Sequence, residues 1–431
     1  MSYPAALDFL YGLQHHGVKL GLAPVHALLA QLGAPQLRYR TLHIGGTNGK
    51  GSTAAMAASI LQAAGYRVGL YTSPHLVDFR ERIRVNGLPI PESAVAGLTE
   101  RLRDVAVEGA QPTFFEFTTA MAFQYFADCD VDVAVVEVGL GGRFDATNTV
   151  LPLAATITNV ALDHQDYLGD TVRAIAWEKA GIIKPHVPVV AGRLCREAED
   201  VVAGVASEQE APLHRWGRDF TAEGEPLTGF HYEGLRVSYD NLSCPLAGAH
   251  QLENAACALA FLEVASERGL RVTEADVRAG LLATTWEGRL EVVERGPTLI
   301  LDGAHNPAAA AVLASYLADY RRSHAGARII LVVGMMRDKD RAGFFRLVLP
   351  LADELVLTQA QIPRAASVQE LAASLGDWPH VAYRALSPAD ALAQARRLAS
   401  FEDLMCVTGS LMLVGEAKAL LRGCGLSPIR G

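Results

Sequence analysis

From about residue 41 to residue 282, short runs of β-branched and apolar residues alternate with stretches whose apolar positions recur at helical spacing. Strands are expected at residues 41–44, 67–71, 131–138, 154–160 and 187–191, and helices at 52–64, 117–128, 171–181 and 250–269. Such alternation predicts a mostly parallel sheet covered by helices. The run 131–138 is apolar on both parities except at Asp132 and Glu137, as in a strand buried on both faces. A carboxylate closing that strand needs a partner, because an isolated buried anion is costly.

A second cycle starts near Arg289. Strands are expected at 298–302, 328–335, 354–358 and 404–408 and helices at 307–320, 341–349 and 411–421, with a helix, short strand and helix between the last two strands. The pattern predicts two domains, residues 1–287 and 288–431, with a hinge in the segment TTWEGRLE (284–291), where helical periodicity stops and strand periodicity restarts. Residues 210–243 are rich in turn formers and short alternations and are expected to form an antiparallel flap.

Composition narrows the class. Half of the 431 residues are apolar and 20% are charged, as in a packed globular protein. The balance of 38 basic against 47 acidic residues, a net charge of −9, offers no general positive field for nucleic acid or anionic lipid, so neither partner is expected. The longest apolar runs, 255–262 and 329–336, are eight residues each, well short of the roughly 20 of a membrane span. The opening MSYPAALDFLYG does not read as a secretory signal, and six cysteines without a C-x-x-C pair fit neither a disulfide framework nor a zinc knuckle. A reducing cytoplasm is the expected compartment.

The strongest local signal is His43-Ile44-Gly45-Gly46-Thr47-Asn48-Gly49-Lys50-Gly51-Ser52-Thr53, set between a strand and a helix. Glycines let backbone N–H groups approach phosphate oxygens, the helix N-terminus adds partial positive charge and Lys50 a full one. Thr47, Asn48, Gly49, Lys50, Gly51, Ser52 and Thr53 are therefore expected to cradle a nucleotide triphosphate. The G-x-x-x-x-G-K-[ST] pattern is not met, since the hydroxyl arrives one residue late, at Ser52. Glu137, at a strand end on the same side, fits ligation of a divalent cation shared with the phosphates. Gly139–Gly142 is no dinucleotide fingerprint, because Phe144 stands where its last glycine belongs. Arg80, Arg82 and Arg84 would share one face of an extended strand. Asp302 and His305 follow a strand of the second cycle, the usual site position in such sheets. Lys179 lies in the last turn of a helix closed by Gly181, where a cation complements the helix dipole.

Taken together, several segments resemble the Mur ligase superfamily in the form of the folylpolyglutamate and dihydrofolate synthases: GTNGKGS at 46–52, TSPHL at 72–76, EVGLGGRFDATN at 137–148, LDH at 162–164 with EKAGI at 178–182, and DGAHNP at 302–307. They occur in order over nearly the whole chain. The resemblance implies an α/β fold with an N-terminal P-loop ATPase domain of mostly parallel sheet, of the Mur central type, and a smaller C-terminal Rossmann-like glutamate-ligase domain. It implies that Ser73, Glu137 and His164 hold one Mg²⁺, that Ser52 and Glu137 hold another, and that Lys179 is carbamylated and helps build the metal site. Because imidazole is an unusual Mg²⁺ ligand, Mn²⁺ is expected to substitute. Asn254, Arg289 and Asp302 would contact ATP, and Arg82, His305 and Ser410 glutamate or folate. Lys50, Lys179, Glu137 and His305 are the expected catalytic set. The activity implied is ATP-dependent addition of L-glutamate to a folate-type carboxylate through an acyl phosphate, by a monomer whose domains close about residues 284–291. Only 45 residues precede Gly46, too few for the nucleotide-sugar domain of the cell-wall members, so a folate-type acceptor is expected. The motifs leave the acceptor open between dihydropteroate, reduced folates already bearing glutamate, or both. The competing reading is a phosphotransferase or nucleotide switch that forms no amide.

Overall fold

The structure, a computed structural model, describes residues 1–16, 21–105 and 112–427. The chain divides into two compact units. The first comprises Met1–His75, Arg80–Pro245 and Gln251–Thr285, and the second Leu76–Phe79, Leu246–His250 and Trp286–Gly431. No single cut after residue 287 describes this division. Leu76 and Val77 belong to the second unit because their side chains pack in its core with Leu413 and Val414.

In the first unit, eight strands form one sheet: β1 (Arg40–Gly45), β2 (Val68–Tyr71), β3 (Ile83–Val85), β4 (Leu88–Pro89), β5 (Val133–Glu137), β6 (Ala154–Ile157), β7 (Val189–Ala191) and β8 (Leu213–Arg215). Their spatial order is β4-β3-β2-β5-β1-β6-β7-β8. All neighbours from β2 to β8 run parallel, and β3 and β4 add an antiparallel edge. β5 is buried along its whole length, as its double-sided apolar pattern requires.

The expected flap is corrected in part: residues 213–215 form the parallel edge strand β8, paired with β7, rather than part of it. The antiparallel sheet consists of β9 (Thr221–Glu225), β10 (Gly229–Glu233) and β11 (Ser238–Leu242), and it begins only after the turn at Gly217. The expected strand 154–160 stops at Ile157: Thr158 N still donates to Gly45 O at 3.0 Å, but the Thr158 and Asn159 side chains bond the loop after β1.

Helices cover the sheet, among them α1 (Lys50–Ala63), α2 (Phe114–Asp128), α3 (Val172–Ala180) and α4 (His250–Ser266). α1 starts two residues before the expected position, capped by Gly49 in the left-handed region at φ 83°. α2 starts three residues early through a capping box. Thr113 Oγ1 accepts from Glu116 N at 3.2 Å and Glu116 Oε2 accepts from Thr113 N at 2.7 Å.

The second unit holds a six-stranded sheet of β12 (Glu291–Glu294), β13 (Thr298–Leu301), β14 (Ile329–Val333), β15 (Glu354–Leu357), β16 (Ala382–Arg384) and β17 (Leu404–Thr408), in the order β12-β13-β17-β14-β15-β16. It is parallel except at the edge strand β12, which the sequence pattern did not predict. Helices α5 (Pro307–Ser323) and α6 (Leu411–Arg422) follow β13 and β17. Lys418 on α6, 2% exposed, holds the segment leading into β12 through ion pairs with Glu287 and Glu291 at 3.0 and 2.5 Å. Among the described residues no helix is long and apolar enough to cross a membrane.

Candidate active site

Strand register builds the first rim. Ile44 of β1 is the partner of Glu137 on β5, Tyr71 of β2 is the partner of Val136, and Gly45 is the partner of Ile157 on β6. The four central strands therefore end side by side, in the order β2, β5, β1, β6. Their ends carry Ser73, Glu137, the glycine-rich loop and His164, the position at which open parallel sheets bind ligands.

The loop is held by the segment after β6. Thr47 N donates to Asn159 O at 2.9 Å, Asn48 N donates to Asn159 Oδ1 at 2.9 Å, and Thr158 Oγ1 donates to Asn48 O at 2.6 Å. Lys50 Nζ donates to Thr47 O at 3.0 Å, so the ammonium folds back over the loop. Gly46 sits at φ 138°, and a Cβ there would lie 2.0 Å from Thr158 Oγ1. Gly49 is packed as tightly, 2.3 Å from Asn254 Oδ1 by the same measure, which places Asn254 of α4 at the loop. Gln251, one turn earlier on α4, donates to Ser52 Oγ at 3.4 Å and accepts from Asn254 at 2.9 Å. Ser52 and Thr53, both buried, lie in the first turn of α1, where Thr53 N already donates to Gly49 O at 2.9 Å.

Glu137 Oε2 accepts from Ser73 N at 2.9 Å, which brings the ends of β2 and β5 together. Lys179, only 4% exposed, donates from Nζ to Gly46 O at 2.9 Å. Burial, and behind it the charge of Lys50, push its amine down to about 7, while Asp163 and Asp145 act in the other direction. His164 lies in the left-handed region at φ 52°, with Nε2 4.0 Å from Asp163 Oδ2.

The three arginines do not share a face, in contrast to the sequence expectation. Residues 79–82 form a 3₁₀ turn, and only Ile83–Val85 is extended. Arg80 pairs with Glu92 at 3.7 Å, and Arg84 Nε donates to Glu81 O at 3.2 Å. Arg82 instead turns inward: Nε donates to His75 Nδ1 at 2.8 Å, and the guanidinium lies 5.2 Å from the centre of the Phe114 ring. Burial lowers the Arg82 pKa, against the opposing pull of Tyr71, Tyr11, Glu137 and Glu81. His75 is held well below its ordinary pKa by burial and by the Arg82 charge, so it is a neutral acceptor.

In the second unit, Asp302 follows β13. Its Oδ2 accepts from Leu290 N and its Oδ1 from Ala304 N, each at 3.0 Å, and Gly303 N donates to Gly288 O at 2.9 Å. Asp302 thus pins the backbone that carries Arg289. His305 Nδ1 lies 2.8 Å from Gly303 O, which can only accept, so the proton sits on Nδ1. Asn306 caps α5 and Ser410 caps α6, with Met412 N donating to Ser410 Oγ at 3.0 Å. β13 and β17 are neighbours, so the segments of His305 and Ser410 share one rim, joined where Gly409 N donates to Ala304 O at 2.9 Å.

Sequence reasoning did not single out Thr158, Asn159, His75 or Phe114. Thr158 and Asn159 were accessible by the strand-end rule applied to Glu137, and Phe114 by the T-x-x-E capping signal at residues 113–116.

Among the described residues no group of three or more His, Cys, Asp and Glu is placed to hold a metal. The candidate donors are one carboxylate, one imidazole, two hydroxyls and a lysine. Such a set suits a hard cation that completes its coordination with nucleotide phosphates, and the Glu137 carboxylate at the loop fits that need. A glycine-rich loop opening a helix, a strand-end carboxylate beside it and a second α/β unit define the class: an α/β enzyme that acts on a nucleotide triphosphate.

The comparisons with known proteins narrow this. Residues 44–262 match the Mur ligase middle domain, and residues 288–411 match the Mur ligase glutamate ligase domain. The dihydrofolate synthase/folylpolyglutamate synthase of Bacillus subtilis is 35% identical over 434 residues, covering 98% of this chain and 99% of the relative. The structure of E. coli FolC in complex with DHPP and ADP aligns with a TM-score of 0.89 at 34% identity over 98% of each chain. The Yersinia pestis bifunctional folylpolyglutamate synthase/dihydrofolate synthase, complexed with AMPPNP and Mn ion, aligns at 0.88, also at 34% identity over 98% of each chain. The chain therefore belongs to the Mur ligase family, in the dihydrofolate synthase/folylpolyglutamate synthase branch, whose members are ligases that form carbon–nitrogen bonds.

Proposed function

We propose that this protein uses ATP to join the amine of L-glutamate to a folate-type carboxylate, as a monomer in a reducing cytoplasm. One carboxylate oxygen of the acceptor attacks the γ-phosphorus of ATP, giving an acyl phosphate and ADP. The glutamate amine then attacks the acyl carbon, loses its proton as the tetrahedral intermediate collapses, and expels phosphate. No protein nucleophile is needed, so the chain acts by positioning and by neutralising charge.

The observation that carries this reading is Glu137, which ends β5 beside the glycine-rich loop with its carboxylate on Ser73 N. On this reading Thr47 to Thr53 wrap the phosphates, Lys50 faces the transferring phosphoryl group, and Asn254, Arg289 and Asp302 contact the nucleotide. Ser52, Ser73, Glu137 and His164 would hold Mg²⁺ or Mn²⁺, which when bound neutralises charge on the phosphates. Arg82, oriented by His75 and Phe114, suits a carboxylate, while His305 and Ser410 belong to the glutamate side.

Lys179 fits a carbamate. An amine pushed down to about 7 is substantially neutral at physiological pH. That neutral amine adds to CO₂, releasing one proton and leaving a carboxylate-like head beside the loop. The competing reading, a phosphotransferase or nucleotide switch, gains no support from the relatives, which are synthases.

The acceptor is settled by offering the purified protein ATP, Mg²⁺ and labelled glutamate with dihydropteroate and tetrahydrofolate separately. Label is expected in the product of at least one acceptor. ADP formation without label transfer to either would contradict the reading.

A further inference from the structure

β1 leads into the phosphate loop, and its interior is apolar except for Thr41 and His43. His43 is 0% exposed and lies between Val136 of β5 and Ala155 of β6. An imidazole in such a place is costly to bury, and leucine or valine would fill the same place without that cost. Burial, then the charge of Lys184, push its pKa down to about 3, so the ring is neutral.

Its Nε2 lies 2.9 Å from Thr147 Oγ1, and the Thr147 hydroxyl in turn donates to Asp145 Oδ1. Burial raises the Asp145 pKa against the opposing hydrogen bonds from Thr147 and Leu140. Since the single Thr147 hydroxyl proton is given to Asp145, Thr147 accepts from His43, and the imidazole proton sits on Nε2. His43 Nδ1 is then a bare, buried acceptor with no hydrogen-bond partner among the described residues. The ring is satisfied on one side only, the side that faces Thr147.

Asp145 is the centre of the loop that leaves Glu137. Its Oδ2 accepts from Leu140 N at 2.8 Å and its Oδ1 from Thr147 N at 3.0 Å, which closes the loop on itself. The far side of the loop docks on the end of α3, the helix that carries Lys179. Arg143 N donates to Glu178 O at 2.8 Å, and Asn148 Nδ2 donates to Gly181 O at 3.0 Å. Gly142 is packed so closely there that a Cβ would lie 2.9 Å from both Glu178 O and Lys179 O. One short loop therefore joins the Glu137 strand end to the Lys179 helix end, and His43 braces it from the phosphate-loop strand.

We propose that His43 is a positioning residue for the metal rim: through the Thr147 hydroxyl and the Asp145 carboxylate it holds in register the loop connecting Glu137 to the Lys179 helix. The proposal rests on the reading of Glu137 as a metal ligand. Hydrogen-bonded partners behind metal ligands change metal affinity or activity by about 10–100-fold when removed.

The test is Mn²⁺ binding, measured by calorimetry in the presence of a non-hydrolysable ATP analogue. His43→Leu removes the donor, and Thr147→Val removes the hydroxyl while keeping its shape. Each is expected to weaken Mn²⁺ binding about tenfold, and the double variant no more than either alone. His43→Gln, whose amide nitrogen reaches the Nε2 position, is expected to stay within about threefold of the parent, whereas His43→Asn is not. Should His43→Leu fail to fold, Thr147→Val reads the same bond from its other end. Parent-like Mn²⁺ binding in Thr147→Val, or single effects that multiply in the double variant, would overturn the proposal. Glu137→Gln separates the two layers. Loss of Mn²⁺ binding there with none in Thr147→Val overturns the positioning role alone, whereas unchanged binding in Glu137→Gln removes the metal assignment itself.

Discussion

Lys179 Nζ donates to the carbonyl of Gly46 at 2.9 Å, fastening the end of α3 to the first residue of the phosphate loop. Lys179 is deeply buried and bonds a carbonyl rather than a carboxylate, so its amine is easy to deprotonate, and its value of about 7 has a thermodynamic consequence. In the unfolded chain the same amine titrates near 10.4. Between these values the unfolded state binds more protons, so stability rises with pH across the window and is lost as pH falls through about 7. Denaturant midpoints of the parent should therefore climb more steeply from pH 7 towards pH 10 than those of Lys179→Met; parallel slopes would contradict the burial argument. In ¹³C-bicarbonate the parent should also show a carbamate resonance that Lys179→Met lacks.

Gly46 allows no side chain. At φ 138° its Cβ would meet Thr158 Oγ1 at 2.0 Å and the backbone nitrogens of Thr158 and Asn159 at 3.1 and 3.2 Å. Gly46→Ala should destabilise the protein by about 3 kcal/mol and weaken ATP-analogue binding, because clash and backbone strain act at one residue. Gly65, at φ 86° with nothing near its Cβ, is the control. Gly65→Ala should cost only about 1 kcal/mol and leave nucleotide binding unchanged. Equal effects of the two substitutions in chemical denaturation and calorimetry would contradict the geometry.

Ser410 is given two roles that one pair of variants separates. As the cap of α6 its hydroxyl accepts from Met412 N at 3.0 Å, and Ser410→Ala should cost about 1 kcal/mol. Ser410→Asp should keep the cap and the stability. If Ser410 also faces glutamate, the added carboxylate should raise the glutamate KM by about tenfold, through roughly 1.4 kcal/mol of like-charge repulsion. An unchanged KM in a stable Ser410→Asp variant would leave only the capping role.

Much of the rim was legible in the sequence because its parts are strand ends. Glu137 stands out as the carboxylate of a doubly apolar strand, and the loop at 46–52 as glycines with a lysine at a helix start. The edges were less legible. β8 is a three-residue strand within a turn-rich segment, and its parallel pairing with β7 comes from distant residues rather than local pattern. The alternation of Arg80, Arg82 and Arg84 suggested an extended face, but the 3₁₀ turn at 79–82 sends Arg82 inward alone, towards His75. Thr158 and Asn159 fall inside the run expected as a strand over 154–160, yet their side chains and the Asn159 carbonyl serve the loop after β1. The second unit's share in Leu76–Phe79 could not be read locally either, since it is fixed by packing against residues more than three hundred positions away.

The route through an acyl phosphate is tested most directly by the fate of one oxygen. A folate acceptor labelled with ¹⁸O in its carboxylate is incubated with the protein, ATP, Mg²⁺ and L-glutamate, and the released phosphate is analysed by mass spectrometry. Attack of the carboxylate on the γ-phosphorus followed by amine displacement predicts transfer of one ¹⁸O into phosphate for each amide formed. Phosphate that carries no ¹⁸O while amide accumulates would contradict it.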